Sequence, residues 1–445
     1  MNNPPNNLWG RLKYIGPSVI VTGSVVGSGS IVMTPLLGAA AGFLLLWWLL
    51  ISMWSKPIIQ AEISRYIIVT RQTFLEAFAD MPGFKTTIQG KTTSWLVWFM
   101  FLGVIPSVAG MGGLAGAVAQ AGNMMVPQLS VEAWVIACCL ITWLILFWGS
   151  YLTLERVLLV MVLFFSFVTM VIAFSMQTTE YQTSIEQVAQ GLTFTFPTEH
   201  LPLALAVFGF TGISYGEIMA YTYWCLEKGY APDTEGDLEK TKGWIKVMQT
   251  DVWVTVFFVT IGTLPFFFLG AGVLHQIPEL QESLATGSFW DIDIIGALQN
   301  MFALVLGGWA KWLFVVMAFF VLFSTLLSGT AAFTRTISDY FISTGLILEE
   351  RISRQQLIKI VAFVVPFLSG VFYFVLPNPI TLFIIAGIWS AMGLPIVNIG
   401  ALYLLSKLDK ELQPKPLTKY ILWASLCFQI SIAIVIVYFE AGNFI

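Results

Sequence analysis

Along the chain, apolar runs of roughly 18–25 residues alternate with short polar breaks, and runs of that length carry a helix across the hydrocarbon core of a bilayer. Eleven runs can be counted, near 14–40, 43–68, 94–120, 131–149, 154–176, 201–226, 248–273, 311–337, 357–376, 379–405 and 418–440. The pattern predicts an all-α polytopic membrane protein. Two of the runs are interrupted at mid-depth. The first, Gly16–Gly42, is broken by Gly27-Ser28-Gly29-Ser30, and the sixth, Leu203–Leu226, carries Gly209, Gly212 and Gly216 around Thr211, Ser214 and Glu217. Each backbone polar group freed by such a break costs roughly several kcal/mol in hydrocarbon unless something satisfies it. Breaks therefore tend to mark a solute site, although Gly/Ser-rich helices also serve close packing against a neighbour.

Two interrupted helices five spans apart have opposite orientations, which is what an inverted five-plus-five repeat places at its centre. On that expectation the chain is one transmembrane transporter domain: residues 1–176 form the first repeat, 177–405 the second, and 406–445 an additional C-terminal helix.

Composition narrows the class. With 57% hydrophobic and only 10% charged residues, a soluble globular protein is excluded. The short polar start, Met1–Lys13, precedes no separate apolar core with a cleavage site, so the first span is expected to do the targeting. Cys138, Cys139, Cys225 and Cys427 lie in or beside apolar runs without CxxC spacing and read as packing residues. Nothing in the chain calls for a cofactor or a nucleic-acid partner, and no His, Cys or Ser constellation suggests an enzyme. Lys and Arg fall in alternate loops: Arg11 and Lys13, then Arg71, Lys85 and Lys91, then Arg156, Lys240, Arg351 and Lys415 with their neighbours. The positive-inside rule then predicts a cytoplasmic N-terminus and an external C-terminus.

Ionisable residues at depth are the candidates for chemistry. Lys56, near the middle of the second span, requires a partner, because a central charge costs roughly 2.5–3.5 kcal/mol on insertion scales. Glu62 and Arg65, three apart, pair on one helix face or mark a proton path with Lys56. Glu217 sits in the sixth-span break, where a carboxylate either coordinates a cation, carries a proton, or neutralises Lys56. Ser324, Thr325, Ser328 and Thr330 give the eighth span a hydroxyl-rich face that lines a path or glues helices together. Asp251, Arg335, Asp339 and Asn398 lie toward helix ends, as weaker candidates for a gate.

Gly16-Pro17 opening the first span, Gly42-Phe43 before the aromatic-rich Leu44–Trp48, Gln60–Glu76 (QAEISRYIIVTRQTFLE) and Leu394-Pro395 together resemble the NRAMP family of metal transporters. EISRY at 62–66 and YWCLEKGYA at 223–231 are similar to a divergent, mostly bacterial NRAMP-related branch. The resemblance spans nearly the whole chain. It implies a LeuT-type fold, alternating access and residence in a bacterial inner membrane. It also implies a metal site at the first break, where the family's Asp-Pro-Gly-Asn is replaced here by Gly27-Ser28-Gly29-Ser30. The family's Met-Pro-His in the sixth span is replaced, approximately, by Tyr215-Gly216-Glu217. Without that thioether the expected donors are all oxygen.

These readings converge on a secondary-active transporter that moves a cation, a divalent metal ion first among them, with protons as a coupling ion. Its expected site comprises Gly27, Ser28, Gly29, Ser30, Thr211, Gly212, Ser214 and Glu217, with Glu217 the metal ligand and Lys56, Glu62 and Arg65 as charge partners or proton path. The expected partners are the transported cation, protons and the lipid bilayer. Two alternatives remain: a LeuT-fold transporter of a small organic solute, favoured by Lys56, and a membrane sensor or scaffold that does not transport.

Overall fold

The computed structural model describes residues 3–148, 160, 164, 167–168, 170–172, 174–234, 236–285 and 292–443. Among these, nine helices are long and apolar enough to cross a membrane. A further helix of 25 residues, α3 (Leu46–Thr70), has the length to cross but carries Lys56, Glu62 and Arg65. The expected fifth span, 154–176, lies largely outside the described residues.

Both interrupted runs are broken helices. The first comprises α1 (Pro17–Val25), a π-helical segment Ser28–Met33, and α2 (Thr34–Ala41). The break therefore centres on Val26-Gly27, slightly earlier than Gly27–Ser30, because Ile31 N–H already bonds Gly27 O at 2.7 Å and Thr34 N–H then bonds Gly29 O, five residues back, in a wide turn. The sixth comprises α7 (Leu201–Phe210) and α8 (Tyr215–Lys228). Between them Thr211 is extended and Gly212 has φ +75°, a left-handed conformation that Gly adopts without a Cβ penalty.

After α3, a hairpin pairs β1 (Lys85–Ile88) with β2 (Lys91–Ser94), Ile88 opposite Lys91. Its turn residues Gln89 and Gly90 both have positive φ, as a tight two-residue hairpin turn requires. The third span is divided at Gly103 into α4 (Trp95–Leu102) and α5 (Val104–Met125), and α6 (Val131–Trp148) follows. Later come α9 (Leu238–Gly272), α10 (Ala310–Ser343), α11 (Arg354–Val375), α12 (Pro379–Ser406) and α13 (Pro416–Asn443). The helix α9 starts ten residues before the expected 248, since Asp237 caps it by accepting the N–H groups of Glu239 and Lys240, each at 3.1 Å. The polar turns this adds carry Lys240, Lys242 and Lys246 beyond the apolar stretch.

In the core, α7 packs on α12, α12 on α5, α5 on α10, and α10 on α1. Without a hydrophobic driving force between helices in lipid, close backbone approach supplies the packing energy. The tightest backbone-to-backbone crossing among the described residues is at Gly209, where a Cβ would lie 1.8 Å from Gly387 O, while a Cβ on Gly387 would lie 2.4 Å from Ala206 O. Gly209→Val is expected to lower the melting temperature of detergent-purified protein sharply, overpacking costing about 1–3 kcal/mol or more. Gly216→Ala, whose nearest neighbour is 3.6 Å away, serves as the neutral comparison in the same assay.

Candidate functional site

The two breaks meet in the middle of the bundle. Gly29 O accepts hydrogen bonds from Thr34 Oγ1 of its own span at 2.8 Å and from Thr211 Oγ1 at 3.4 Å, so a hydroxyl of the sixth-span break reaches the backbone of the first. Ser30 is fully buried and its hydroxyl is shared with Thr263 of α9 at 2.7 Å. The side chain of Ser28 lies outside the described residues.

The end of α7 leaves carbonyls without helical partners, as every helix C-terminus does. Two side chains of α3 take them. Lys56 Nζ donates to Phe208 O at 2.6 Å and Thr211 O at 2.7 Å, and Ser52 Oγ donates to the same two oxygens at 3.1 and 3.0 Å. Lys56 is fully buried and lies 5.1 Å from the Phe208 ring centroid. Its partners are thus the negative end of a half-helix, not Glu217 through a direct bridge. Glu62 and Arg65 do not join it. Glu62 lies six residues on, about 120° round the helix, where Arg65 holds it with two hydrogen bonds of 2.6 and 3.0 Å while also donating to Leu412 O. They form a structural ion pair that ties α3 to the loop before α13.

At the opposite lip of the same break, Ser214 and Glu217 form a reciprocal capping box on the first turn of α8. Glu217 Oε2 accepts from Ser214 N–H at 3.0 Å and from the Ser214 hydroxyl, and Oε1 accepts from Ser24 Oγ of α1 at 3.1 Å. A carboxylate has about four lone-pair sites. One site on Oε1 remains open.

Glu217 lines a cavity of about 80 Å³ between α1, α5, α8, α10 and α12. Of the eight residues expected at the site, Gly29, Ser214 and Glu217 line it; Gly27, Ser30, Thr211 and Gly212 do not, their surfaces being taken up by packing and hydrogen bonds. Gly27 is the clearest correction. A Cβ there would lie 1.7 Å from Thr325 Oγ1, whose hydroxyl donates to Gly23 O at 2.9 Å. The side-chain space at Gly27, where the family's motif carries Asp, is filled by Thr325. Elsewhere on α10, Ser324 and Ser328 bond carbonyls of their own helix.

Several lining residues were not anticipated: Ser24, Ser107, Met111, Met219, Phe333, Thr336, Tyr340 and Ser390. Two of them, Met111 of α5 and Met219 of α8, carry thioethers, and Tyr340 OH lies 3.8 Å from Met219 Sδ. Met219, four residues after Tyr215, sits one turn along the same helix face, which was the available signal. The cavity extends along the last third of α10, toward the end of the bundle that carries the Lys- and Arg-rich loops.

That basic end is latched. Tyr223 OH donates to Asp339 Oδ2 at 2.5 Å, and Arg354 lies 3.5 Å from Asp339 Oδ1 and over the Tyr223 ring. Arg335 pairs with Glu227 at 2.8 and 3.3 Å and stacks 4.3 Å over Trp224. The segment 223–231 therefore joins α8 to α10. Asp251, buried on α9, accepts from Gly16 N–H, Ser18 N–H and Tyr221 OH, capping α1 from a distant span. Asn398 bonds Leu422 O and Gln429 on α13 and takes no part in the latch. Among the described residues, no group of three or more His, Cys, Asp or Glu side chains converges.

Two broken helices meeting at a central cavity define a transporter of the LeuT fold. The fold is similar to that of a mutant Eremococcus coleocola manganese transporter, at TM-score 0.69 and 15% identity over 98% of this chain and 88% of that one. It is also similar to MHP1, a nucleobase-cation-symport-1 family transporter, at TM-score 0.59, 13% identity, and 95% and 92% coverage. MhsT in complex with L-phenylalanine aligns at TM-score 0.54, 16% identity, and 98% and 99% coverage. A search of curated proteins finds no match. The family model for natural resistance-associated macrophage protein-like proteins matches residues 18–439, and the chain belongs to that family of membrane metal-ion transporters.

Because Thr325 fills the space at Gly27, Gly27→Asp alone is expected to lower the yield of folded, monodisperse protein on size-exclusion chromatography. Thr325→Gly in the same chain should restore it. Failure of the double variant to recover would show that the packing constraint lies elsewhere.

Proposed function

We infer that the protein is a secondary-active cation transporter in which a divalent metal ion binds in the central cavity against Glu217 and crosses by alternating access, coupled to proton movement. The observation that carries this reading is the Glu217 carboxylate, held at a half-helix end by Ser24 and Ser214 on the wall of a cavity that Met111 and Met219 also line. A single monodentate carboxylate does not strip a metal of its water. The ion is expected to stay partly hydrated, with Met111 and Met219 favouring a softer transition metal over Mg²⁺ or Ca²⁺. Manganese, which the Eremococcus transporter carries by name, is the first cargo to test.

On this reading the basic end faces the cytoplasm of a bacterial cell and the C-terminus lies outside. The Tyr223–Asp339–Arg354 cluster and the Glu227–Arg335 pair act as the inner gate, closed here and opened as α8 moves relative to α10. A second reading, a small organic cation, is favoured by the Phe210, Tyr215, Phe333 and Tyr340 side of the cavity, since aromatic faces attract ammonium groups. An anionic solute fits less well, because Ser214 and Glu217 already occupy the first turn of α8.

Isothermal titration calorimetry with Mn²⁺, Mg²⁺ and Ca²⁺ tests the proposal on wild type and Glu217→Gln. Gln preserves the capping box, so the variant isolates the charge. Mn²⁺ should bind the wild type, and the variant should bind it at least about ten-fold more weakly, a loss of roughly 1.4 kcal/mol. No binding of any of the three metals to the wild type would overturn the divalent-metal reading in favour of the organic cation.

A further inference from the structure

Four polar side chains of α3, Ser52, Lys56, Gln60 and Ser64, recur every fourth residue and are all fully buried. Such spacing places them on one stripe of the helix. The first two are anchored on the carbonyls of the sixth-span break. The next two are not anchored in this way: among the described residues neither Gln60 Nε2 nor Gln60 Oε1 has a hydrogen-bond partner, nor does Ser64 Oγ. Left dry, each of these three polar atoms within two turns would cost about 1–3 kcal/mol. Buried groups that protein does not satisfy are satisfied by internal water.

We propose that Gln60 and Ser64 hold a file of water inside the bundle, and that this file is the route by which Lys56 exchanges its proton with the basic end. The stripe begins at Lys56 in the centre and runs along α3 toward Thr70, at the end carrying Arg71. The proposal rests on the proton-coupled part of the function above and gives that coupling a location. Water at Gln60 lies one turn from the ammonium; the amide and the hydroxyl each donate and accept, so they hold and orient the waters along which the proton passes. The charged side chain acting on Lys56 is Glu217 of α8. From α7 come carbonyls and the Phe208 ring, and α9 and α12 bring no charged side chain within hydrogen-bonding reach among the described residues. Glu62, paired with Arg65 on another face, is not part of the file.

X-ray radiolytic labelling of the full-length protein in detergent, read by mass spectrometry, tests the water. Radicals formed from internal water oxidise the side chains beside it. In the wild type, the buried Ile59 and Ile63 should be labelled, and Gln60→Leu should reduce that labelling about five-fold as the water loses its anchor. An unlabelled α3 in the wild type overturns the file whatever the protein carries. A stopped-flow pH jump read with a soluble dye tests the route. A proton-exchange phase should be present in the wild type, absent in Lys56→Gln and about ten-fold slower in Gln60→Leu, the amide being one link of the file. A missing Lys56-dependent phase, or one unchanged in Gln60→Leu, overturns the route. Should Gln60→Leu not fold, Ser64→Ala carries both measurements. Failure of cation binding would defeat the cargo reading alone, since neither measurement uses a cargo.

Discussion

The ammonium of Lys56 seated on Phe208 O and Thr211 O is the interaction on which the centre of this protein depends. A helix cannot stop in the middle of a membrane without exposing carbonyls, and hydrocarbon offers no donor to take them. Lys56 resolves two problems together. The carbonyls gain a charged donor, and the buried cation gains the negative end of a half-helix dipole. Ser52 takes the same oxygens from one turn away, so the break is held from α3 by two side chains.

Glu217 is the counterpart at the other lip. It places a carboxylate at the positive end of α8, where the partial charge and the Ser214 donors stabilise it. Both ends of the sixth-span break are thus neutralised by side chains of the chain itself. The first break is stabilised differently, by hydroxyls: Thr34 and Thr211 on Gly29 O, Ser30 with Thr263, and Thr325 packed onto Gly27. The consequence for function is that the breaks themselves are largely closed to a cargo. What remains open lies beside them, in the cavity lined by Glu217, Met111 and Met219.

The latch at the basic end explains the segment YWCLEKGYA in physical terms. Tyr223, Trp224 and Glu227 each engage a charged residue of α10 or α11, and Tyr230 OH donates to Tyr14 O at 2.5 Å, just before the first span. One short stretch thereby reaches the first, eighth and ninth spans. Asp251, capping α1 while accepting from Tyr221, couples the same region to the seventh.

The all-α membrane class, the two broken helices and the positions of their breaks to within a few residues were determined by the sequence alone. Apolar run length and Gly/Ser interruptions are local properties, and hydrocarbon leaves helices as the means of satisfying a spanning backbone made of such runs. The depth of Lys56 and the presence of a carboxylate at the sixth break were equally legible, since both follow from position in a run. Which groups meet across the bundle was not. Whether Glu217 or a carbonyl receives Lys56 depends on the rotation of α3 against α7, and whether Gly27 opens onto a site depends on Thr325, about three hundred residues away in the chain. The thioethers were missed for the same reason. Met111 and Met219 belong to different spans; one-turn spacing from Tyr215 pointed to Met219, but nothing local to Met111 distinguishes a methionine that lines a cavity from one that fills the core. Tertiary structure alone decided these, because helix rotation and crossing are set by side-chain packing between segments far apart in sequence.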